Sequence, residues 1–461
     1  MSAKNYRQMR GAFSAGTPAR SRIDMLFDQG AFSELAPFAS VGDMPCGVIC
    51  GYGSVNGSPV CAFAQEGGGL GKAQADKISR LYDLALKTGV PVVGIYDSLG
   101  ANIAEGVAAL EAYGELLLRV NNLSGVVPQI SIIAGDCTGS SALLAMSADF
   151  VVMSESASFF LTPPSLLSGA QECAGGAEAA GAEGVAHLVC ADADEAVKKV
   201  AELLSYLPLN NLSPSPVRDF SAPEDGFLAE DARYDDASPR DIAAAVCDAG
   251  SILPLMEGFG KRGFAALATM GGSPVGIAAT GGALCERSAR KIAKLVSVCD
   301  SFGLPVITLV NAPGVKAPDG AGTGGLIQAT ARLAHIYAEA TTAKLSVITG
   351  RAYGAAYVAL CSRAANSDYT VAWPGAVITP MAPQAAVAFA YSDRITAEVS
   401  REEVVRGYEE DEASPLTAAA AGYLDDVISP KETRAALLAA LELLSAKRVS
   451  RNPKKHSNLP L

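Results

Sequence analysis

Along the chain, apolar residues recur with two periods. Runs that alternate, or that are unbroken and rich in small and β-branched residues, predict strands, and apolar positions every three or four residues predict helices. An amphipathic helix is expected over Ala19–Phe27 and stops by Gly30. Two β-type runs between Val48 and Gln65 flank Asn56-Gly57, a hairpin signal. A helix follows with Ile78, Leu81 and Ala85 on one face, then a strand from Pro91 to Tyr96 and a helix from about Glu105 to Asn121. Strands are expected at 129–134 and from Phe150 to Met153, and a helix near Ala193 to Leu207. The order then returns, with strands at 265–280, a helix at 286–302 and a strand at 305–310. Next comes a helix with Ile327, Ala331, Ala334 and Ala338 on one side. Residues 163–185 read as a surface excursion, 208–240 as a linker rich in Pro, Asp and Ser, and 393–450 as charged and helical. Alternating strands and helices predict an α/β class.

The stretch KLSVITGRAYGAAYVAL, Lys344 to Leu360, organises this pattern. Leu345, Val347 and Ile348 suit a buried strand that Gly350 ends, and Gly354 precedes a small-residue run that can begin a helix. The first amides of a helix have no internal partner. Small residues there let a ligand oxygen approach them, which makes a candidate oxyanion hole without a catalytic side chain. Close packing alone would also account for the small residues. The layout occurs twice, however. In QISIIAGDCTGSSALL, Gln129 to Leu144, Gln129, Ser131, Gly135 and Gly139 match Lys344, Ser346, Gly350 and Gly354. Upstream, Gly57-Ser58-Pro59-Val60 returns as Gly272-Ser273-Pro274-Val275, Lys77-Ile78 as Lys291-Ile292, and Gly89-Val90-Pro91 as Gly303-Leu304-Pro305. The near-constant spacing marks a duplicated domain, its period far longer than that of a solenoid repeat. The domains are expected at 1–235 and 236–461.

Composition narrows the chemistry. A net charge of −12 argues against a surface built for nucleic-acid phosphates. Ten cysteines without metal spacing read as reduced thiols of a cytosolic protein. There is no apolar leader core and no apolar run of membrane-spanning length, so a cytoplasmic location is expected. The run Gly67-Gly68-Gly69-Leu70-Gly71-Lys72 is not a P-loop, because Glu66 and Ala73 break it. Gly320, Gly322 and Gly325 satisfy a lone GxGxxG without the acidic residue a dinucleotide site needs. His187, His335 and His456 fit no zinc pattern and no metal is expected. Asp97 and Asn311 are repeat-equivalent strand-end residues, open to substrate contact or to turn capping, with capping preferred. The chain thus offers backbone donors in duplicate and few side-chain catalysts.

These residues resemble the carboxyltransferase subunits of biotin-dependent acyl-CoA carboxylases and the related decarboxylase α subunits. The resemblance rests on ARSRIDMLFDQGAF at 19–32, DSLGANIAEG at 97–106, GVVPQISIIAG at 125–135, GVAHL at 184–188 and ELLSYLPLNN at 202–211. It continues in CDSFGLPVITLVNAPG at 299–314, YAEAT at 337–341, and AYGAAY with Trp373-Pro374 beyond. It implies two tandem crotonase-like domains, each a spiral of ββα units. It also implies an acyl-CoA held against the N-terminal domain and carboxybiotin, carried by a biotin carboxyl carrier protein, against the C-terminal domain of another subunit. By position the thioester hole maps to Gly139 and Ser140, and the ureido hole to Ala355 and Ala356. Gly100, Ala101, Gly354, Tyr357 and Val358 map to substrate contacts, Val358 where acyl preference varies. In the family chemistry carboxybiotin yields CO2 and a biotin anion, the anion takes the α-proton, and the thioester enolate attacks CO2. The reverse direction removes CO2 from a malonyl-type CoA. The implied assembly is a homo-oligomer, dimers forming a hexamer, alongside a biotin carboxylase or a membrane decarboxylase subunit.

The chain also departs from the family pattern. Ser140 and Ala355 stand where glycines are usual, Leu99 replaces another, and Asn102 stands where arginine is common. The 163–183 segment is short, and Met381-Ala382-Pro383-Gln384 replaces a glycine-containing turn. These changes sustain a second reading, a non-catalytic paralogue that scaffolds an active homologue. A third is a biotin-independent crotonase-type CoA enzyme, which needs a carboxylate beside the first turn. Glu105 and Glu111 are the near candidates, and both read as solvated helix residues.

Overall fold

A computed structural model describes residues 16–42, 44–169, 174–224, 226–230, 234, 236–316, 323–450 and 453–460. The chain forms two units that divide between Pro216 and Val217. Sequence places the end of the first domain at residue 235. The segment after Pro216 goes with the second unit, where the Arg218 amide donates to Gly272 O and the Ala249 amide to Ser221 O, both at 2.9 Å.

Each unit is built on an eight-stranded sheet. In the first, the strands run in the order Ser33–Glu34, Val48–Val55, Ser58–Gln65, Val92–Ser98, Gln129–Thr138, Phe150–Ser154, Leu188–Cys190, and Ser158–Phe160 pairs off Gln129–Thr138. In the second, the order is Leu253–Pro254, Gly263–Met270, Ser273–Thr280, Val306–Ala312, Lys344–Tyr353, Tyr369–Ala372, Asp426–Val427, and Val377–Thr379 pairs off Lys344–Tyr353. The hairpin at each start is antiparallel and the strands after it are parallel. Parallel neighbours need crossovers, and the helices Lys72–Thr88 and Val107–Leu123, and Glu286–Ser301 and Gly324–Glu339, supply them. This is the pair of ββα domains that the resemblance implies.

Ile78, Leu81 and Ala85 are all buried, as their spacing predicts. The helix Gly324–Glu339 differs. Its buried face is Leu326, Ala329, Leu333 and Tyr337, and Ile327 is 64% exposed. Both stripes have helical spacing, and the one with the larger side chains went inward.

The strands also outrun expectation. Gly135 and Gly350 do not end them, since pairing continues to Thr138 and Tyr353. At both glycines a side chain from the neighbouring strand lies overhead. A Cβ on Gly135 would stand 2.6 Å from the Asp97 carboxyl carbon, and one on Gly350 would stand 2.8 Å from the Asn311 carboxamide carbon. The register of both strand pairs shifts at this level. The glycines therefore mark a crossing of side chain over strand. Among the described residues no helix is long and apolar enough to cross a membrane.

Candidate functional site

The turn after each long strand is made by a glycine. Gly139 sits at φ 57° and ψ −128°, a conformation that a Cβ disfavours, and Gly354 sits at φ 51°. The helices Ser140–Met146 and Gly354–Leu360 begin there. Gly139 already donates its amide to Phe160 O at 2.9 Å. Its part is to aim the chain, and the first donor open to a ligand is the amide of Ser140, which has no partner among the described residues.

The chain brings a second amide to this place. Leu70 bridges Ala101 in parallel fashion, with its amide donating to Gly100 O at 2.7 Å and its carbonyl accepting from Asn102 at 2.9 Å. The Ala101 amide therefore points away from Leu70 and is without a partner among the described residues. Gly100, at φ 89°, lies against the turn, where a Cβ would stand 3.0 Å from Thr138 O and 3.8 Å from Ser140 N. The loop 99–101 and the turn 138–140 thus meet through backbone alone. Ser141 is fully buried and its hydroxyl shares a 2.5 Å hydrogen bond with Tyr113 Oη, which ties the short helix to Val107–Leu123.

The second unit repeats the plan. Leu284 bridges Val315, with its amide donating to Gly314 O and its carbonyl accepting from Lys316, each at 2.9 Å. Gly314 has φ 84°, close to that of Gly100. By structural position Ala355 matches Ser140, and Ala356 matches Ser141. Ala355 is exposed and its amide is without a partner among the described residues, whereas Ala356 is fully buried. The sequence assigns this turn to Ala355 and Ala356 together; of the two, Ala355 is the exposed residue and Ala356 the buried one. Val358 is 57% exposed on the same helix. Tyr357 is half-buried, and burial pushes its phenol up from the ordinary value. Val315, at the place that Ala101 takes in the first unit, is not among the residues that the sequence singles out. The parallel between Gly100-Ala101 and Gly314-Val315 was the available signal.

The other candidates take structural parts. Asp97 faces Arg22 at 3.5 Å, and Asn311 Oδ1 accepts from the Arg351 amide at 3.1 Å. Glu105 is half-buried and engaged. It accepts from the Lys72 amide at 2.7 Å and from Asn102 Nδ2 at 3.1 Å, and so closes the start of the helix Lys72–Thr88. Asn102 in turn accepts from the Ala104 amide at 3.1 Å. Glu111 is exposed. His187 is a core residue whose Nδ1 accepts from the Val151 amide at 2.8 Å. Nine described cysteines are free, and burial pushes Cys190 up to about 11 and Cys61 and Cys247 up to about 12, which opposes a reactive thiolate. Among the described residues no cluster fits a metal ion. Gly320 and Gly322 lie outside the described residues. What remains is a set of open backbone donors, Ser140 and Ala101 in the first unit and Ala355 in the second, suited to an oxygen that gains negative charge during a reaction.

The carboxyl transferase domain family matches residues 15–459. A propionyl-CoA carboxylase beta chain from Saccharopolyspora erythraea is 37% identical over 492 residues, covering 96% of this chain and 90% of that protein. A methylmalonyl-CoA decarboxylase subunit alpha from Veillonella parvula is 34% identical, covering 96% of this chain and 93% of that protein. The crystal structure of transcarboxylase 12S, a hexamer assembly with methylmalonyl-coenzyme A and methylmalonic acid bound, superposes with a TM-score of 0.90 at 31% identity. That match covers 100% of this chain and 98% of that one.

Proposed function

The chain belongs to the carboxyl transferase family, and from that premise we propose that it moves a carboxyl group between carboxybiotin on a separate carrier protein and a short-chain acyl-CoA. The observation that carries the reading is the duplicated turn, each copy presenting an open amide after its glycine, with a strand-end amide brought against it in the first unit and a matching bridge at Val315 in the second. In the first unit, Ser140 and Ala101 are the donors to the thioester oxygen, and Gly139 and Gly100 set their direction. Charge grows on that oxygen when the α-proton leaves, so donors fixed beforehand favour the enolate over the ester. In the second unit, Ala355 and Val315 are the donors to the ureido oxygen of biotin, with Gly354 as the turn and the buried Ala356 and half-buried Tyr357 as its support. Biotin supplies the carboxyl group and the base; the chain binds, orients and polarises. Val358, exposed beside the second turn, is assigned to the acyl chain.

A homo-oligomer, a hexamer as in the transcarboxylase 12S structure, belongs to this proposal. It is supported by apolar side chains left exposed, Ile103 and Val107 in one unit and Ile327 and Phe389 in the other. The partners are the biotin carrier and either a biotin carboxylase or a membrane decarboxylase subunit.

The test is decarboxylation of methylmalonyl-CoA or malonyl-CoA with and without biotin or its carrier. Turnover that requires biotin is the expected outcome. Equal turnover without it would favour a biotin-independent enzyme, and no turnover with the correct carrier would leave the scaffold reading.

A further inference from the structure

The duplication carries a buried lysine as well as a turn. Lys77 is 6% exposed and donates from Nζ to Val48 O at 2.8 Å; Lys291 is 2% exposed and donates from Nζ to Gly263 O at 2.9 Å. Val48 and Gly263 each begin the first strand of their hairpin. An ammonium buried against one carbonyl keeps a charge that the interior tolerates poorly without a counter-charge.

The first unit supplies one. Glu34, its side chain 11% exposed, stands 3.3 Å from Lys77 Nζ. Glu34 lies opposite Gly51, three residues into the strand that begins at Val48. The matching place in the second unit lies opposite Ala266, three residues into the strand that begins at Gly263, and it is held by Pro254. Among the described residues no carboxylate stands within ion-pair distance of Lys291; the charge of Glu257, itself paired with Arg240, favours the ammonium in part, but burial outweighs it and holds Lys291 down to about 8.

Space follows charge. The hollow at Lys77 is about 10 Å³, whereas that at Lys291 is about 140 Å³. The larger one is lined by Arg240, Glu257, Lys261, Gly263 and Lys291. Glu257 is engaged by Arg240 at 2.9 Å, which leaves the charges of Lys261 and Lys291 in excess. Lys261 itself stands where the first unit has the buried thiol Cys46.

We propose that this cavity of the second unit binds a small oxyanion, a carboxylate or a phosphate group, in the place that Glu34 fills in the first. Ligand and site match in size, since about 140 Å³ admits several non-hydrogen atoms and no nucleotide. The inference stands apart from carboxyl transfer and survives if that reading fails.

Titration calorimetry of the purified chain with inorganic phosphate and, separately, with acetate, against chloride at equal ionic strength, tests it. One saturable site per chain is expected for at least one of the two, and their ranking tells which group the cavity takes. Pro254→Glu restores the carboxylate of the repeat, and Lys291→Met removes the cation. Each is expected to weaken binding by about tenfold or more. If Lys291→Met does not fold, Pro254→Glu decides alone. The proposal is overturned if neither oxyanion binds, or if folded Pro254→Glu binds as tightly as the unaltered chain.

Discussion

At Gly139 the space that a Cβ would enter is nearly open, with only Leu161 O at 4.0 Å, whereas at Gly354 it holds Pro380 O at 2.8 Å. The opposite holds for the facing loops. A Cβ on Gly100 would stand 3.0 Å from Thr138 O, and one on Gly314 would meet nothing within 4 Å among the described residues. Both units need a positive-φ glycine at the turn and one at the loop, but each is tight at a different one. The short helix of the first turn is tied by Ser141 to Tyr113, while its counterpart in the second carries the methyl of Ala356. The comparison separates two demands on a duplicated fold. Backbone geometry that aims a donor is kept in both copies. The contacts that hold it differ from copy to copy, because many packings can support one turn.

The largest expected effect removes a donor from each turn in parallel. Ser140→Pro and Ala355→Pro should each lower biotin-dependent kcat by about 10²–10³, while fold and oligomer persist, because proline is accepted in a first helical turn. Steady-state kinetics beside circular dichroism checks this. Full turnover in either folded variant would reject that turn as a donor. Ala355→Gly keeps the amide and should leave kcat unchanged or raised.

Next in size is the pair of turn glycines. Gly354→Ala combines a disfavoured φ with the 2.8 Å approach to Pro380 O, and should cost about 2–4 kcal/mol of stability. Gly139→Ala carries the backbone strain alone and should cost about 1–2 kcal/mol. Denaturant titration of the two variants would erase the asymmetry if the costs came out equal.

A smaller difference is read through pH. Lys291 is charged in the folded chain below about 8, and in the unfolded chain up to the ordinary lysine value of 10.5. Between these the unfolded state binds more protons, so stability should climb as pH rises, by roughly 1–3 kcal/mol. The climb is the difference between the unaltered chain and Lys291→Met, measured in chloride buffers at pH 8 and pH 10. Parallel curves for the two proteins would show that Lys291 is not held down.

The smallest effect concerns Ser141→Ala, which removes the 2.5 Å bond to Tyr113. About 0.5–1.5 kcal/mol is expected from thermal melts. The phenol of Tyr113, pushed up by burial and drawn back by Ser141 and Ser98, should titrate higher by ultraviolet absorbance. An unchanged titration would remove Ser141 as the tie.

By itself the sequence determined the class, the duplication and the family. Alternation and helical spacing are local consequences of burial on one face, and the repeat of Gly135, Gly139 and Lys77 as Gly350, Gly354 and Lys291 is visible without coordinates. It also located both turns, because a positive-φ turn leaves glycine as its mark. Only the tertiary structure decided which residues of each turn are taken up or exposed. Gly139 N–H is taken by Phe160 O, a residue from a later strand, and Ala356 is enclosed where Ala355 is exposed. It alone showed why Gly135 and Gly350 are glycines, since Asp97 and Asn311 reach them only once neighbouring strands pair. It alone also set Pro254 in the place of Glu34 beside a buried lysine. Hydrogen-bond partners and counter-charges come from segments far apart in the chain, and no local pattern of residues encodes which of them will meet.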